Sequence, residues 1–315
     1  AGSGAHVEFT DAARLVFVQL VACRAGQLAV AAERRLTTPL LNDFDGLLSP
    51  WLAERNVQAY RLTQVRNWLW AKREADWQEM TDLPRELREQ LADDFALWST
   101  DIARHTVAED GTEKLLLNLA GGGQIECVLL RDRVRRTVCI STQVGCGMGC
   151  VFCASGLDGV DRNLTSGEIV EQMLRLQQLL AADERLSHVV VMGMGEPLAN
   201  LDQLLPALAE ASSPAGLGIS PRRITISTVG LPQAMRKLRE AAPRYRLAVS
   251  LHAPNDALRN ELVPVNEKIG LQEILSEADR YFETSGRRLT FEYVLLAEVN
   301  DRPSHARQLA RLLPG

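Results

Sequence analysis

The stretch that decides the fold is RTVCISTQVGCGMGCVFCASG, residues 136–156. It begins as an apolar strand, residues 136–143, and continues into a glycine-rich loop that carries three cysteines in the spacing C-x3-C-x2-C: Cys146, Cys150 and Cys153. In sheets built from strand–helix units, the loops at the carboxyl ends of the strands carry the chemistry. The stretch therefore predicts an α/β fold with a reactive site at the end of its first strand.

Downstream of this stretch, strand patterns alternate with helical patterns. The predicted strands are 188–194, 223–228, 245–251 and 289–296. The predicted helices are 166–182, 201–211, 232–241, 256–263 with 271–284, and 304–313. The first helix has a T-x-x-E capping box formed by Thr165 and Glu168. This alternation predicts five strand–helix units around a parallel sheet, and the given sequence stops before a sixth strand, which we expect to reflect truncation.

Upstream, the composition changes at defined points. All five tryptophans lie between residues 51 and 98, in a region, residues 41–102, that predicts a small helical N-terminal domain. Its predicted helices are 46–55, 60–72 and 83–95. Residues 1–40 predict a helical extension of unknown role, residues 103–135 predict a β-linker around a Gly-Gly-Gly turn, and residues 136–315 hold the strand–helix units.

The overall composition is that of an ordinary globular chain. Of 315 residues, 46% are hydrophobic and 24% are charged, which excludes global disorder, a collagen-like repeat and a disulfide scaffold. The net charge of −5 excludes a protein that coats nucleic acid through bulk charge. The most apolar segment, residues 15–32, contains Gln19, Arg24 and Gln27, so we expect no membrane span. Without a convincing signal sequence, the expected location is the cytoplasm.

The cysteines indicate a metal cofactor. Four of the six lie within fifteen residues, which favours metal or redox chemistry over a disulfide framework. Three thiolates on one short loop would bind three irons of a [4Fe–4S] cluster and leave the fourth iron open. The alternatives are a zinc site or structural thiols, but zinc normally takes a fourth Cys or His, and no such partner is nearby. Cys23 and Cys127 are expected to be unreactive thiols.

Longer motifs resemble a known family. The cysteine motif, with an aromatic residue before its last cysteine, resembles the radical S-adenosylmethionine (SAM) superfamily. The runs 139–146 (CISTQVGC), 162–165 (RNLT), 193–197 (GMGEP), 250–256 (SLHAPND) and 292–294 (EYV), with Ser227-Thr228, resemble the RlmN dual-specificity RNA methyltransferases. The stretch from Arg61 to Leu87 resembles the N-terminal domain of that family, which implies that the helical domain of residues 41–102 contacts RNA. The resemblance implies a partial (β/α)6 radical SAM barrel.

The resemblance also implies an activity. Members of the family methylate C2 of adenine in 23S rRNA, at the peptidyl-transferase centre, and in tRNA, 3′ to the anticodon. A first SAM methylates a cysteine, and a 5′-deoxyadenosyl radical from a second SAM activates that methyl group. The implied cofactors are one [4Fe–4S] cluster and SAM. The implied partners are 23S rRNA, tRNA and an electron donor such as flavodoxin, and we expect a monomer.

Site residues follow from the matching motifs. The resemblance implies cluster ligation by Cys146, Cys150 and Cys153. It implies that six residues contact SAM: Gly195, Glu196, Ser227, Ser250, Leu251 and His252. It implies that Glu126 is a proton acceptor and that Cys139 forms a transient disulfide with a methyl-carrying cysteine near the C-terminus. From the residues alone, Glu126 reads as an ordinary strand carboxylate, Cys139 as a buried core thiol and His252 as a satisfied polar residue.

In one respect the sequence departs from the family. No cysteine follows Cys153, so the methyl carrier is absent from these 315 residues. We therefore expect this polypeptide to cleave SAM without methylating RNA. The alternatives are a Cfr-type enzyme that methylates adenine C8, and a non-catalytic iron–sulfur protein that binds RNA.

Two groups of arginines are candidates for neutralising phosphates, although a solvated surface explains each one equally well. They are Arg131, Arg133, Arg135 and Arg136, and Arg222, Arg223, Arg244 and Arg246.

Overall fold

The structure is a computed structural model that describes residues 37–241 and 244–313. The described residues belong to one structural unit. The predicted extension, residues 1–40, lies outside the described residues except for its last four, and Cys23 lies outside them as well. No helix in the described ranges is long and apolar enough to cross a membrane.

Three helices form the N-terminal region, and the sequence predicted each of them to within two residues at both ends. They are α1 (Phe44–Glu54), α2 (Tyr60–Trp70) and α3 (Arg85–Asp94). The Asp43 carboxylate caps α1 by accepting a hydrogen bond from the Gly46 N–H at 3.0 Å. Trp51, Trp70 and Trp77 are buried in the core, so these rings stabilise the region by packing. The two-residue strands β1 (Thr38–Pro39) and β2 (Phe95–Ala96) pair in parallel.

Eight strands form the main sheet, and two more form a separate hairpin. The strands are β3 (Thr100–Val107), β4 (Glu113–Leu119), β5 (Gln124–Asp132), β6 (Arg135–Cys139), β7 (Gln143–Gly145), β8 (Val160–Asn163), β9 (His188–Val191), β10 (Ile224–Thr228), β11 (Arg246–Ser250) and β12 (Thr290–Glu292). The order in the main sheet is β12-β11-β10-β9-β6-β5-β4-β3, while β7 pairs with β8. The last five strands in the main sheet are parallel, as predicted. The predicted β-linker is an antiparallel continuation of the same sheet, and the domain boundaries remain predictions.

Helices alternate with the parallel strands, which confirms the predicted α/β class. They are α4 (Ser166–Gln178), α5 (Leu201–Ser212), α6 (Pro232–Ala241), α7 (Asp256–Leu262), α8 (Leu271–Ser285) and α9 (Pro303–Leu312). The predicted capping box of α4 is present, with Thr165 and Glu168 each accepting a backbone N–H of the other. This cap fixes the point at which the chain leaves the β7–β8 hairpin, whose loop carries the three cysteines, and enters α4.

Side-chain alternation separates the core from the site. Ile226 of β10 and Leu247 of β11 are fully buried in the hydrophobic core. Successive residues of a strand point to opposite faces, so Ser227 and Ser250 lie on the other face of the sheet. The pairing register aligns Ser250 with Glu292 of β12. Polar side chains at the carboxyl ends of three neighbouring strands are thereby brought together on one face.

Candidate active site

The cysteine loop is held at its base by the β7–β8 hairpin. Gly145 ends β7 with φ +74°, and a Cβ at this position would lie 2.2 Å from the Gly159 carbonyl oxygen. The Cys146 N–H donates to that same oxygen at 2.8 Å, and the Cys153 N–H donates to the Cys150 oxygen at 3.1 Å. Only glycine permits this close approach, so Gly145 sets the direction in which the loop leaves the hairpin.

The three loop thiols influence one another electrostatically. Burial, together with the nearby Cys153 and Cys146, raises the pKa of Cys150 to about 12. Burial also raises the pKa of Cys146, again with a contribution from Cys153. All five described cysteines are free thiols. The loop therefore holds three nearby thiols whose shared ionisation requires a compensating positive charge.

This donor set fits a [4Fe–4S] cluster. In such a cluster each thiolate binds a different iron, and thiolate is the usual protein ligand. Across residues 37–241 and 244–313, no three His, Cys, Asp or Glu side chains are arranged to hold a single metal ion. Three half-buried thiols on one loop, which repel one another when ionised, match ligands spread over one cluster.

The loop rests on the segment that follows β11. Cys150 and Phe152 pack against Ala253, Leu262 and Val263, and the Phe152 ring lies edge-on to the His252 ring with centroids 4.8 Å apart. The Val151 N–H donates to the Leu262 oxygen at 3.1 Å. The cysteine loop is thus fixed against the end of β11 and helix α7, which places it beside the polar strand ends.

The loop that follows β9 packs directly on the connection between β6 and β7. A Cβ on Gly193 would lie 2.6 Å from the Ser141 Oγ, and one on Gly195, whose φ is +101°, would lie 2.7 Å from the Gln143 Cβ. The Thr142 N–H donates to the Met194 oxygen at 2.8 Å. Both glycines are therefore required by close approach, and the predicted contact of Gly195 with SAM remains a prediction.

Glu196 is deeply buried and joins three strand ends. Its side chain accepts hydrogen bonds from the Leu198 N–H at 3.0 Å and the Val229 N–H at 2.9 Å, while its own N–H donates to Gln143 Oε1 at 2.8 Å. Burial raises its pKa, and the two backbone donors oppose that effect. The carboxylate therefore links the loops after β6, β9 and β10, and the predicted contact with SAM remains a prediction.

Glu196→Gln is expected to weaken this junction. The amide nitrogen of glutamine would face a backbone N–H in place of an acceptor, leaving a buried donor unsatisfied at a cost of about 1–3 kcal/mol. Thermal unfolding followed by circular dichroism measures the change. The matched control is Glu240→Gln on the exposed surface of α6. Equal unfolding midpoints for both variants would contradict the linking role.

Ser227, Ser250 and Glu292 form a polar group at the ends of β10, β11 and β12. The Ser227 Oγ lies 3.1 Å and the Ser250 Oγ 3.0 Å from the same Glu292 carboxylate oxygen, and the two hydroxyls are 3.4 Å apart. Both hydroxyl protons are directed to Glu292, so the serine oxygens are left as acceptors. Sequence analysis placed both serines in the site but gave Glu292 no role.

His252 adopts an unusual backbone conformation beside this group. Its φ is +59°, and its Nδ1 accepts a hydrogen bond from the Val294 N–H at 3.1 Å. Burial lowers its pKa to about 4, so the ring is neutral and its proton is on Nε2. Asn300, also unnoticed in the sequence, donates to the His252 oxygen at 2.8 Å. The Leu251 side chain is fully buried and its N–H donates to the Glu292 oxygen at 2.9 Å, so its predicted contact with SAM remains a prediction.

Glu126 and Cys139 lie on neighbouring strands. Cys139 pairs with Val128 of β5 and Glu126 lies two residues from Val128, so the three side chains share a face. Glu126 forms an ion pair with Lys114 Nζ at 2.8 Å. Burial raises the pKa of Cys139 to about 12. Cys139 is therefore a protonated thiol at neutral pH, and the predicted roles of both residues remain predictions.

The arginine groups lie at the other edge of the sheet. Arg135, Arg223 and Arg246 lie where β6, β10 and β11 begin. Burial lowers the pKa of His188, at the start of β9, and the positive charges of these three arginines lower it as well. The cysteine loop follows the opposite ends of these strands. These arginines therefore lie close together, but at the end of the sheet opposite to the cysteine loop.

Two members of the arginine groups have carboxylate partners. Arg131 pairs with Glu113 at 2.6 Å and with Glu184 at 2.9 Å, and Arg136 Nε donates to Glu184 at 2.7 Å. These two side chains are therefore engaged within the protein and are not free to meet phosphates.

Comparison with known proteins gives the family. Residues 140–310 match the model of the radical SAM superfamily, and residues 40–97 match the model of the ribosomal RNA large subunit methyltransferase N-terminal domain. A "Probable dual-specificity RNA methyltransferase RlmN" of Rhodopirellula baltica is 63% identical, over 88% of this chain and 74% of that protein. A protein of the same name from Carboxydothermus hydrogenoformans is 46% identical, over 84% of this chain and 77% of its own length.

A solved structure agrees with these relatives. The crystal structure of a radical SAM methyltransferase from Sphaerobacter thermophilus superposes with a TM-score of 0.84 at 40% identity, covering 88% of this chain and 82% of that one. The resemblance inferred from the sequence is confirmed, and with it the radical SAM fold. With both halves of the sequence matched and the three-thiol loop in place, the chain belongs to the RlmN family of SAM-dependent RNA methyltransferases within the radical SAM superfamily.

Proposed function

We propose that this protein methylates C2 of adenine in 23S rRNA and in tRNA, using a [4Fe–4S] cluster held by Cys146, Cys150 and Cys153. The observation that carries the proposal is the packing of this three-thiol loop against the polar ends of the parallel strands. The names of the relatives, which specify dual-specificity RNA methylation, support the choice of substrate class.

Within this proposal the cluster supplies the electron that cleaves SAM. The chain's own residues bind and orient the cofactor. Ser227 and Ser250 offer lone pairs because Glu292 takes their protons, so they accept hydrogen bonds from hydroxyl or ammonium groups of the ligand. His252, neutral and fixed through Nδ1, offers its Nε2–H as a donor.

Glu126 is proposed as the base that removes a proton during methyl transfer. Its ion pair with Lys114 fixes the carboxylate on the face of the sheet that also carries Cys139. After carbon transfer, the Cys139 thiolate is proposed to attack the sulfur that joins the carrier cysteine to the transferred carbon: an S–S bond forms, the S–C bond breaks, and its electron pair passes to the released adenine base, which takes up a proton. Since burial favours its protonated form, that attack requires prior loss of the thiol proton to a base.

The function is tested with the protein expressed from its own gene, reconstituted anaerobically and supplied with SAM, a reductant, and transcripts of 23S rRNA and tRNA. Nucleoside mass spectrometry of digested RNA should show 2-methyladenosine from the native protein. 8-Methyladenosine would assign the Cfr-type reaction instead. RNA binding without consumption of SAM would identify a non-catalytic iron–sulfur protein.

A further inference from the structure

Arg259 of α7 is fully buried, with none of its side chain exposed to solvent. Its Nε donates to the Leu251 oxygen and one terminal nitrogen donates to the Ser250 oxygen, both at 3.0 Å. The remaining hydrogen bonds go to the Val229 oxygen and the Asn266 amide oxygen. The guanidinium therefore ties together the loops that follow β10 and β11, at the edge of the sheet where the site lies.

All of these hydrogen-bond partners are neutral. Among the residues that the structure describes, no carboxylate forms an ion pair with Arg259. Asp256 is linked to it by hydrogen bonds through Asn266, which donates to Asp256 Oδ1 at 2.9 Å, and also attracts it electrostatically without direct contact. Burying a charge is costly unless an opposite charge compensates it. An arginine in this position therefore calls for an anionic partner that lies beyond its hydrogen-bonding shell.

The cysteine loop provides such a partner. Leu262, one turn after Arg259 on α7, accepts the Val151 N–H at 3.1 Å, and Cys150 packs against Leu262 and Val263. Arg259 is therefore the buried cation beside the loop.

We propose that Arg259 is the buried counter-charge of the cluster, a positioning residue that fixes the loops after β10 and β11 and raises the cluster's reduction potential. The inference rests on the proposed function, because it requires that the loop hold a cluster. Cluster potentials depend on local net charge and on burial. One-electron reduction adds a negative charge to the cluster, and a nearby buried cation stabilises that reduced form.

The test compares Arg259→Gln, which removes the charge, with Arg259→Lys, which keeps it but loses the guanidinium fork. Arg280→Gln is the matched control, since it removes the same charge from a half-exposed side chain on α8. Each chain is reconstituted anaerobically, its iron and sulfide content is measured, and the reduced cluster is titrated by electron paramagnetic resonance at fixed potentials. This readout does not depend on catalysis.

At a fixed potential, Arg259→Gln is expected to lower the ratio of reduced to oxidised cluster by about tenfold. Removing a buried unit charge near the cluster changes the free energy of its reduction by roughly the amount that corresponds to this factor. Arg259→Lys and Arg280→Gln should stay close to wild type. A folded, loaded Arg259→Gln chain with a wild-type ratio would overturn the inference. If Arg259→Gln does not fold, Arg259→Lys decides: a wild-type ratio supports the charge role, and a comparable fall overturns it. A wild-type chain that holds no cluster would instead refute the proposed function.

Discussion

Replacing any one of Cys146, Cys150 and Cys153 by alanine is expected to abolish the cluster, and with it reductive cleavage of SAM. The three thiols share one loop and lie within electrostatic range of each other. They are the three protein ligands that the loop supplies, so each variant removes one of the three. Losing a thiolate exposes a second iron, and the remaining two cannot hold a cubane cluster in place. Iron and sulfide analysis after anaerobic reconstitution, with chromatography of 5′-deoxyadenosine, measures both losses.

Cys139→Ala is the matched control for this prediction. Cys139 lies seven positions before Cys146, at the end of β6, and it is a buried strand thiol outside the loop. Its replacement should leave about four irons and four sulfides per chain, the content of one [4Fe–4S] cluster. Full iron content in all three loop variants would show that the loop is not the cluster site.

Much of this fold could be predicted from local patterns in the sequence. The five parallel strands alternate with helices, and the capping box at Thr165 marks the start of α4 correctly. Such features depend on residues close together in the chain, where periodicity and turn chemistry are visible. The continuation of the barrel sheet into β3–β5 was not predicted, because strand neighbours depend on pairing between distant segments.

Site residues that belong to one continuous sequence motif were predicted, whereas contacts between residues far apart in the chain were missed. Glu292 gains its importance from Ser227 and Ser250, which lie 65 and 42 positions earlier in the chain. Arg259 looks like an ordinary helix-surface charge until the loops after β10 and β11 close around it. Propensity and spacing contain no signal for either contact, since both are set by the register of neighbouring strands.

The position of the arginine groups in the sheet could have been inferred from the sequence. Arg223 and Arg246 precede or begin their strands, whereas the cysteine loop follows its strand. In a parallel sheet the beginnings and ends of strands lie at opposite edges, so these arginines could have been placed away from the site. Charge alone made these arginines candidates for neutralising phosphates, and strand direction places them away from the site.

Gly145→Ala is the second change for which a large effect is expected. An alanine at this position, where φ is +74°, would have to adopt a left-handed backbone conformation, which costs about 1–2 kcal/mol of folding free energy. Its Cβ would also lie 2.2 Å from the Gly159 carbonyl oxygen, a backbone atom that cannot turn away. Relieving that overlap requires β7 and β8 to separate, which adds about 1–3 kcal/mol and breaks the hydrogen bond from the Cys146 N–H.

Gly159→Ala separates these two costs, because Gly159 directly precedes Val160, the pairing partner of Gly145, and has the same φ of +74°, while a Cβ added there would meet no other atom within 4 Å. Both variants bear the backbone cost, but only Gly145→Ala bears the overlap. We therefore expect Gly159→Ala to lose a small amount of thermal stability and keep its cluster, and Gly145→Ala to lose more stability and most of its iron. Equal iron content and equal unfolding midpoints in the two variants would mean that the cysteine loop does not depend on the close contact between β7 and β8.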